Sequence, residues 1–324
     1  MNHVFGPVPS RRLGQSLGID TIPLKTCNWN CVYCQLGRTM PVTQALREYF
    51  PREEILSEIK QALAAHEPGE IDWVTFVGSG EPTLHTGLGW LIQQTQALTD
   101  LPTAVITNGS LLYLPAVQQA LLPANAVLPS LDAGTAVLYR HLNRPHPEAT
   151  FERLVSGLIA FRQAYRGQLW VEVMLVQGLN DTEAALRDIQ NILLQVRPDQ
   201  VHLNLPTRPP AEAWVRPSDD EGLLRALAIL GDVSRVVHPT AGHFDLQSEE
   251  EGMETAVIRI IQRHPISQQE LERTLDEWAP GRQTEILASL AANPQVKIIQ
   301  RMGIRFWSVT PTHFPDQRQQ PQAR

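Results

Sequence analysis

The chain has 324 residues, 43% of them hydrophobic, with a formal net charge of −7 and a pI near 5.8. A chain of this length can bury one large core or two smaller ones, and no apolar run is long enough to span a bilayer. The acidic balance argues against an electrostatic grip on nucleic acid over the whole surface and leaves room only for a local basic patch. Without an apolar N-terminal leader, we expect a cytoplasmic protein that makes no membrane contact.

Strand-like and helix-like segments alternate along the first two thirds of the chain. Runs rich in β-branched and apolar residues predict strands at 16–21, 73–77, 103–107, 126–131, 169–176 and 201–205. Helical spacing of apolar residues predicts helices at 52–66, 87–99, 112–121, 151–164 and 182–195. Such alternation is typical of βαβ units, so the sequence predicts an α/β fold with a partial (β/α)6 parallel barrel. Active sites of such barrels lie at the carboxyl ends of the strands.

The three cysteines of the chain, Cys27, Cys31 and Cys34, fall within eight positions in a C-x3-C-x2-C pattern. Three thiolates in one short segment, the cysteine loop (residues 27–34), predict a metal or cluster site. An odd count argues against a disulfide framework. Two alternatives remain open at this point, namely a zinc site completed by one of ten histidines, and three inert buried thiols.

A second motif, Gly78-Ser79-Gly80-Glu81, directly follows the strand that ends at 77 and is called here the glycine turn. Two glycines allow a sharp turn and a close approach of backbone to a ligand. Exposed carbonyls and a carboxylate at a strand end suit an ammonium group. On its own the pattern is equally typical of an ordinary connection between a strand and a helix.

Later strand ends carry polar residues that are less specific. Ser130 and Asp132 follow one strand, while Glu172 lies inside the apolar run 169–176 and would need a partner if it points inward. An outward Glu172 paired with a basic residue of a helix is an equal alternative. Asn180 follows the same run and either lines the site or caps the next helix.

Together, the cysteine loop and the glycine turn resemble the radical S-adenosylmethionine (SAM) superfamily. The resemblance implies a 4Fe-4S cluster on Cys27, Cys31 and Cys34, whose open iron chelates the amino and carboxylate groups of SAM. It implies reductive cleavage of SAM to a 5′-deoxyadenosyl radical, which abstracts hydrogen from a substrate that the sequence does not identify. An electron donor of the flavodoxin or ferredoxin type is expected. The cofactor contacts implied by the resemblance are Tyr33, Gly78, Ser79, Gly80, Glu81, Ser130, Asp132, Glu172 and Asn180.

Residues 5–210 resemble in particular the branch near the wyosine-base enzymes that modify transfer RNA. Those enzymes carry further cysteines for a second cluster, which this chain lacks, so wyosine chemistry is not expected to carry over. Upstream of the first predicted strand, Arg11 and Arg12 are flanked by turn-forming residues. Because arginine binds carboxylates and phosphates in a bidentate fork, either could contact SAM or an anionic substrate, or could simply be a solvated surface charge.

The pattern changes after residue 205, where a proline-rich connection begins. We expect a radical SAM domain at 1–246, a winged-helix-like module at 247–312 and a disordered tail at 313–324. Ser267 and Glu270 predict a capping box at the start of a helix in the module. Such a module can bind nucleic acid, a peptide or a partner subunit, and nucleic acid is not favoured because basic residues are few. The rival hypothesis is a zinc- or cluster-containing nucleic-acid-binding or adaptor protein without catalysis.

Overall fold

The computed structural model of the protein describes residues 3–237 and 252–309. An eight-stranded sheet forms the centre of the first of these segments, with the strands in chain order from one edge to the other. Strand β1 pairs antiparallel with β2, and each later pair from β2 to β8 is parallel. The strands are β1 (Val4–Ser10), β2 (Gly14–Asp20), β3 (Trp73–Val77), β4 (Thr103–Thr107), β5 (Ala126–Pro129), β6 (Gln168–Met174), β7 (Gln200–Asn204) and β8 (Ser234–Val236).

Helices connect the parallel strands and pack against them. Helix α6 shows why these segments fold, because Thr182 caps its first turn and Leu186, Ile189 and Leu193 recur at helical spacing in the core. The helices are α1 (Arg52–Ala64), α2 (Leu88–Gln96), α3 (Pro115–Leu121), α4 (Ala136–Leu142), α5 (Phe151–Ala164), α6 (Glu183–Val196) and α7 (Asp220–Leu230), with a 3-10 turn at Pro82–Leu84.

The sheet stays open, with β1 and β8 as its two edges in the described part of the chain. This confirms the predicted α/β fold with a partial parallel barrel. Sequence reasoning missed β1, because Pro7 and Pro9 interrupt its pattern. Proline is tolerated there because an edge strand lacks a partner on one side. Short elements were missed as well, namely β8 and α4, which have too few residues for a clear periodicity.

The second described segment has the order helix, strand, helix, helix, strand, strand. Its elements are α8 (Met253–Arg263), β9 (Ile266–Ser267), α9 (Gln268–Trp278), α10 (Gln283–Ala292), β10 (Val296–Arg301) and β11 (Ile304–Val309). The three strands form one sheet in the order β10-β11-β9. The capping box between Ser267 and Glu270 is present, and the winged-helix-like architecture of this module is confirmed.

The module packs directly on the first strands of the barrel. Its apolar core contains Ile260 and Trp307 and also takes in Val8 from β1. The buried guanidinium of Arg301 donates to the carbonyls of Pro206 and Val215, 3.1 and 3.3 Å away, in the segment that follows β7. The module thus holds the β1 edge and the β7 loop together.

Several predictions fall on residues outside the described ranges. These are the boundary at 246 and the tail at 313–324. The division of the chain into two domains therefore stays a prediction. Among the helices of residues 3–237 and 252–309, none combines the length and the apolar character needed to cross a membrane.

Candidate cofactor site

The three cysteines of the cysteine loop lie beyond the carboxyl end of β2 and share the wall of one cavity of about 400 Å³. Each sulfur accepts a hydrogen bond from nitrogen. The Trp29 backbone N lies 3.4 Å from Cys27 Sγ, and Lys25 Nζ lies 3.3 Å from Cys34 Sγ. The side-chain amide of Asn143 lies 3.7 Å from Cys31 Sγ. Donors aimed at sulfur favour the thiolate form, which is the form that binds metal.

The buried Asn28 fixes the position of the cysteine loop. Asn28 donates to Ser110 Oγ at 2.8 Å and accepts from Asn108 Nδ2 at 2.7 Å. Both partners lie just after β4, so these hydrogen bonds hold the loop at the carboxyl end of β4. Sequence reasoning missed Asn28, Asn108 and Asn143, because a single asparagine in a loop carries no pattern.

Two of the three thiols, those of Cys27 and Cys31, have a pKa above that of an ordinary cysteine. Burial, together with the charge of Glu81, raises the pKa of Cys27 to about 12. Burial also raises the pKa of Cys31 well above that of an ordinary thiol, and the charges of Cys27 and Cys34 add to it. Binding of a metal group must therefore displace protons from these thiols. In residues 3–237 and 252–309, no three His, Cys, Asp or Glu side chains are placed to hold a metal ion.

The glycine turn lies against the start of the cysteine loop. Glu81 N donates to Thr26 O at 2.9 Å, and Lys25 N donates to Ser79 O at 2.6 Å. A Cβ atom on Gly80 would lie 1.9 Å from Thr26 O, so a side chain at this position would collide with backbone. A Cβ on Gly78 would lie 3.0 Å from the side chain of Ile22 and 3.3 Å from the backbone of Gly80. Gly80 is therefore required for the contact between the two motifs, independently of any ligand.

Glu81 is almost completely buried and lines the cavity. One of its oxygens accepts from the backbone N and the hydroxyl of Thr83, at 3.0 and 2.5 Å, and from the Thr107 hydroxyl at 2.6 Å. The other oxygen accepts from Asn108 N at 2.6 Å. Burial raises the pKa of Glu81, and these hydrogen bonds oppose that rise. The carboxylate thus joins β3 to β4 and keeps free lone-pair capacity on the oxygen that bonds Asn108.

Tyr33, Asp132 and Asn180 form a connected polar network. The Tyr33 hydroxyl donates to Asp132, which also accepts from Asn143 Nδ2 at 2.7 Å and from Met174 N at 2.8 Å. The fully buried Asn180 donates to the carbonyls of Asp132 and Met174, both at 2.8 Å. Tyr33 lines the cavity, whereas Asp132 and Asn180 lie outside its lining. These two residues therefore hold backbone behind the cavity wall, and their contact with SAM stays a prediction.

Ser130 and Glu172 both line the cavity, so the inward alternative for Glu172 is the one observed. Glu172 forms an ion pair with Arg12, whose Nη2 also lies 3.4 Å from Asn204 Oδ1. Burial raises the pKa of Glu172, and the charge of Arg12 opposes that shift. One of the two N-terminal arginines is therefore engaged inside the protein and is not a solvated surface charge.

The winged-helix-like module contributes Arg263 and His264 to the cavity wall. Arg263 Nε lies 3.0 Å from a carboxylate oxygen of Asp20, and both side chains are largely buried. The same carboxylate accepts from the backbone N and hydroxyl of Ser79, at 3.0 and 2.5 Å. Asp20 therefore joins the module to the glycine turn, a link that no local sequence pattern signals.

Comparison with known proteins identifies the family of this site. The family model described as "Radical SAM superfamily" matches residues 21–189, which is just over half of the chain. The chain belongs to the radical SAM superfamily. The matched segment includes both the cysteine loop and the glycine turn, so the resemblance on which the sequence analysis relied is confirmed at the level of the superfamily.

Two relatives in curated proteins are similar over most of this chain. A UPF0026 protein of Methanocaldococcus jannaschii is 34% identical over 282 residues, which are 86% of this chain and 87% of that protein. A protein of Brachyspira hyodysenteriae named GTPase Obg is 38% identical over 301 residues, or 91% of this chain. The matched segment is 43% of the GTPase Obg protein, so the present chain spans less than half the length of that relative.

Among solved structures, the chain is similar to "Structure of TYW1 with a lysine-pyruvate adduct bound". The sequence identity is 16% and the TM-score is 0.46, over 91% of this chain and 80% of that chain. The adduct in the printed description is a property of that protein.

Proposed function

We propose that the chain is a radical SAM enzyme that uses a 4Fe-4S cluster and SAM. The observation that carries the proposal is the shared cavity, whose lining includes all three cysteines and the glycine turn. Three thiolates on a four-iron cluster would leave one iron without a protein ligand. The glycine turn is hydrogen-bonded to Lys25 and Thr26, directly before the cysteine loop. Membership of the superfamily supports this assignment.

The residues present fit both groups. Three sulfurs with N–H donors suit a cluster, since each thiolate would bind a different iron and need not converge on one atom. Free capacity on the Glu81 carboxylate and the carbonyls of the glycine turn suit an ammonium group. When bound, the cluster supplies the electron that cleaves SAM to a 5′-deoxyadenosyl radical, which abstracts hydrogen from an unidentified substrate.

The contribution of the chain is to hold and orient these groups and to exclude water from them. The ammonium of Lys25 lies beside Cys34 and would offset the charge of that thiolate. The bond between Asp20 and Ser79 fixes the glycine turn from below. Tyr33 and Ser130 line the cavity and are proposed to contact the nucleoside part of SAM.

Glu172 is proposed as a further contact of SAM or substrate from the barrel interior, held in place by Arg12. Asp132 and Asn180 are proposed to act through Tyr33 and the β6 end, because their polar groups bond the chain itself. An electron donor of the flavodoxin or ferredoxin type and a cytoplasmic location remain part of this proposal.

The non-catalytic alternative was a zinc- or cluster-containing protein whose module binds nucleic acid. Of the two arginines in the hairpin of β10 and β11, Arg301 is buried at the junction with the barrel and donates to backbone carbonyls. Only Arg305 of that pair is exposed. Nucleic-acid contacts require clustered exposed cations, so this observation favours the enzyme over the alternative.

The deciding experiment is anaerobic reconstitution of the full chain with iron and sulfide, followed by reduction with SAM present. We expect about four irons and four sulfides per chain, as a cubane requires, and release of 5′-deoxyadenosine. Cys31→Ala should abolish both, while Met40→Leu, a change at an exposed residue just beyond the loop, should preserve both. Stoichiometric zinc without iron uptake in the wild-type chain would overturn the proposal.

A further inference from the structure

Three separate parts of the chain together form one part of the cavity wall. The turn between β1 and β2 carries Arg11, the loop after β7 carries Thr207 and Arg208, and the end of α8 leads into His264. All four residues line the same cavity as the cysteine sulfurs. We call this part of the wall the open-edge rim (Arg11, Thr207, Arg208 and His264). Its β7 part, Thr207 and Arg208, lies four strands away from β3, the strand that the glycine turn follows.

The cationic side chains along the cavity differ in whether a carboxylate neutralises them. Arg12 is paired with Glu172, and Arg263 is paired with Asp20. By contrast, Arg11 donates to the hydroxyl of Thr207 at 3.1 Å, and Arg208 donates to the amide oxygen of Gln35 at 3.2 Å. Neither of these two guanidinium groups forms an ion pair with any residue in 3–237 or 252–309.

The electrostatic surroundings of the two groups are unfavourable without an anion. Burial, and then the charge of Arg11, lowers the pKa of Arg208 to about 10. Burial and the charge of Arg208 likewise hold the pKa of His264 well below its ordinary value, so its ring stays neutral. The carboxylate of Glu270 acts on both arginines from a distance, and it is engaged in the capping box of α9. Both guanidinium groups are half-buried and lie near another positive charge, which a bound anion would offset.

Arginine chemistry identifies the kind of anion that fits. A guanidinium presents a planar fork of N–H donors that matches the oxygens of a carboxylate or a phosphate. We propose that Arg11 and Arg208 bind a carboxylate or phosphate group on the substrate of this enzyme. The assignment rests on the proposed function, because the two arginines line the same cavity as the cysteines and the glycine turn. The neutral His264, bonded to Gln35 through Nδ1, completes this part of the wall without adding charge.

The test measures equilibrium binding of two probes, inorganic phosphate and malonate, to the reconstituted full chain saturated with SAM. The variants are Arg11→Gln and Arg208→Gln, with Arg166→Gln as the matched control. Arg166 is exposed and lies just before β6, so Arg166→Gln removes the same charge at the amino end of that strand. We expect saturable binding of at least one probe by the wild type and the control. Each rim variant should bind that probe at least about ten-fold more weakly, as loss of a charged donor predicts.

Further readouts separate the possible outcomes. Arg208→Lys keeps the charge but loses the fork, so it should weaken probe binding less than Arg208→Gln while leaving the fold unchanged by circular dichroism. Phosphate preferred over malonate, or the reverse, distinguishes the two sources of the anion. If SAM affinity falls by the same factor as probe affinity, the arginines bind the cofactor and the substrate assignment is wrong.

Equal probe binding by all variants, or no saturable binding by the wild type, would also overturn the assignment. Failure of the proposed function gives a different result. In that case the wild type fails to take up iron or to release 5′-deoxyadenosine, whatever its affinity for either probe. The two conclusions therefore depend on separate measurements made on the same preparation.

Discussion

The two sides of the cavity satisfy their polar groups in opposite ways. At the glycine turn, the carboxylates of Asp20 and Glu81 are buried and receive hydrogen bonds from Ser79, Thr83 and neighbouring backbone. At the open-edge rim, Arg11 and Arg208 have neutral partners and no counter-ion in the described residues. A network whose hydrogen bonds are all formed is rigid without a ligand. Two neighbouring cations without a counter-ion are stabilised when an anion binds. On the two proposals above, the cofactor side is held by hydrogen bonds within the chain, and the rim would be completed by an anionic group of the substrate.

The largest expected effect on cluster and SAM binding comes from Gly80→Ala. The new Cβ would lie 1.9 Å from Thr26 O, so the glycine turn and the start of the cysteine loop must move apart. We expect loss of most cluster uptake together with SAM binding, measured as iron per chain and by calorimetry. Overpacking of this kind costs about 1–3 kcal/mol in stability.

Gly78→Ala is the matched control, because the atoms nearest to its Cβ, at 3.0 Å, belong to the Ile22 side chain, which can move, and the nearest backbone atom is 3.3 Å away. That variant should retain iron. Normal iron content in Gly80→Ala would show that the two motifs are less tightly joined than the contact implies.

Glu81→Ala should have the next largest effect. It leaves the Thr107 hydroxyl and the backbone N of Asn108 without their partner in a buried site. We expect a loss of about 2–4 kcal/mol in the free energy of unfolding and a fall in SAM affinity of about ten- to a hundred-fold. Chemical denaturation and calorimetry measure the two quantities separately.

Glu81→Gln serves as the control for Glu81→Ala, since it keeps the shape and part of the hydrogen bonding while removing the charge. It should recover stability more completely than SAM affinity. A stable Glu81→Ala protein with unchanged SAM affinity would mean that the glycine turn is only a connection between β3 and the following 3-10 turn.

A moderate effect is expected from Arg263→Gln, which tests the link between module and cofactor side. Loss of the ion pair leaves the Asp20 carboxylate buried with Ser79 and Ile22 as its remaining partners. We expect SAM affinity to fall by about three- to ten-fold, with iron content unchanged. Arg305→Gln removes an exposed charge from the same module and should leave SAM affinity as it was. Equal effects of the two variants would show that the module acts only through its overall charge.

This link also bears on the predicted division of the chain. The predicted boundary at 246 implies that a chain ending there would keep the cluster and cleave SAM. In the structure, such a chain would lose Arg263 from the cavity and the apolar cover of Val8. We now expect that truncation to lower SAM affinity at least as much as Arg263→Gln does.

The comparison also shows what could be predicted from the sequence. The strand and helix periods, the cysteine spacing and the glycine turn are local patterns, so the parallel sheet and the cysteine loop followed directly from them. Asp20 with Arg263 and Arg11 with Thr207 join residues more than 190 positions apart, and no periodicity signals such contacts. Glu172 could be predicted only in part. The apolar run around it indicated a buried position, but not whether its side chain points into the cavity.

The smallest expected effect comes from Tyr33→Phe, which removes one hydroxyl from the wall between the two sides. Asp132 would keep its bonds from Asn143 and Met174, so its carboxylate remains satisfied and the loop keeps its shape. We expect a loss of about 0.5–1.5 kcal/mol in stability, as for a single hydrogen bond, with iron content unchanged. If Tyr33 acts mainly by packing its ring, SAM affinity should change less than about three-fold. Tyr33→Ala removes the ring as well and should weaken SAM binding more, which calorimetry on the two variants would show. Equal losses in both would instead mean that the hydroxyl, acting through Asp132, is what positions this part of the wall.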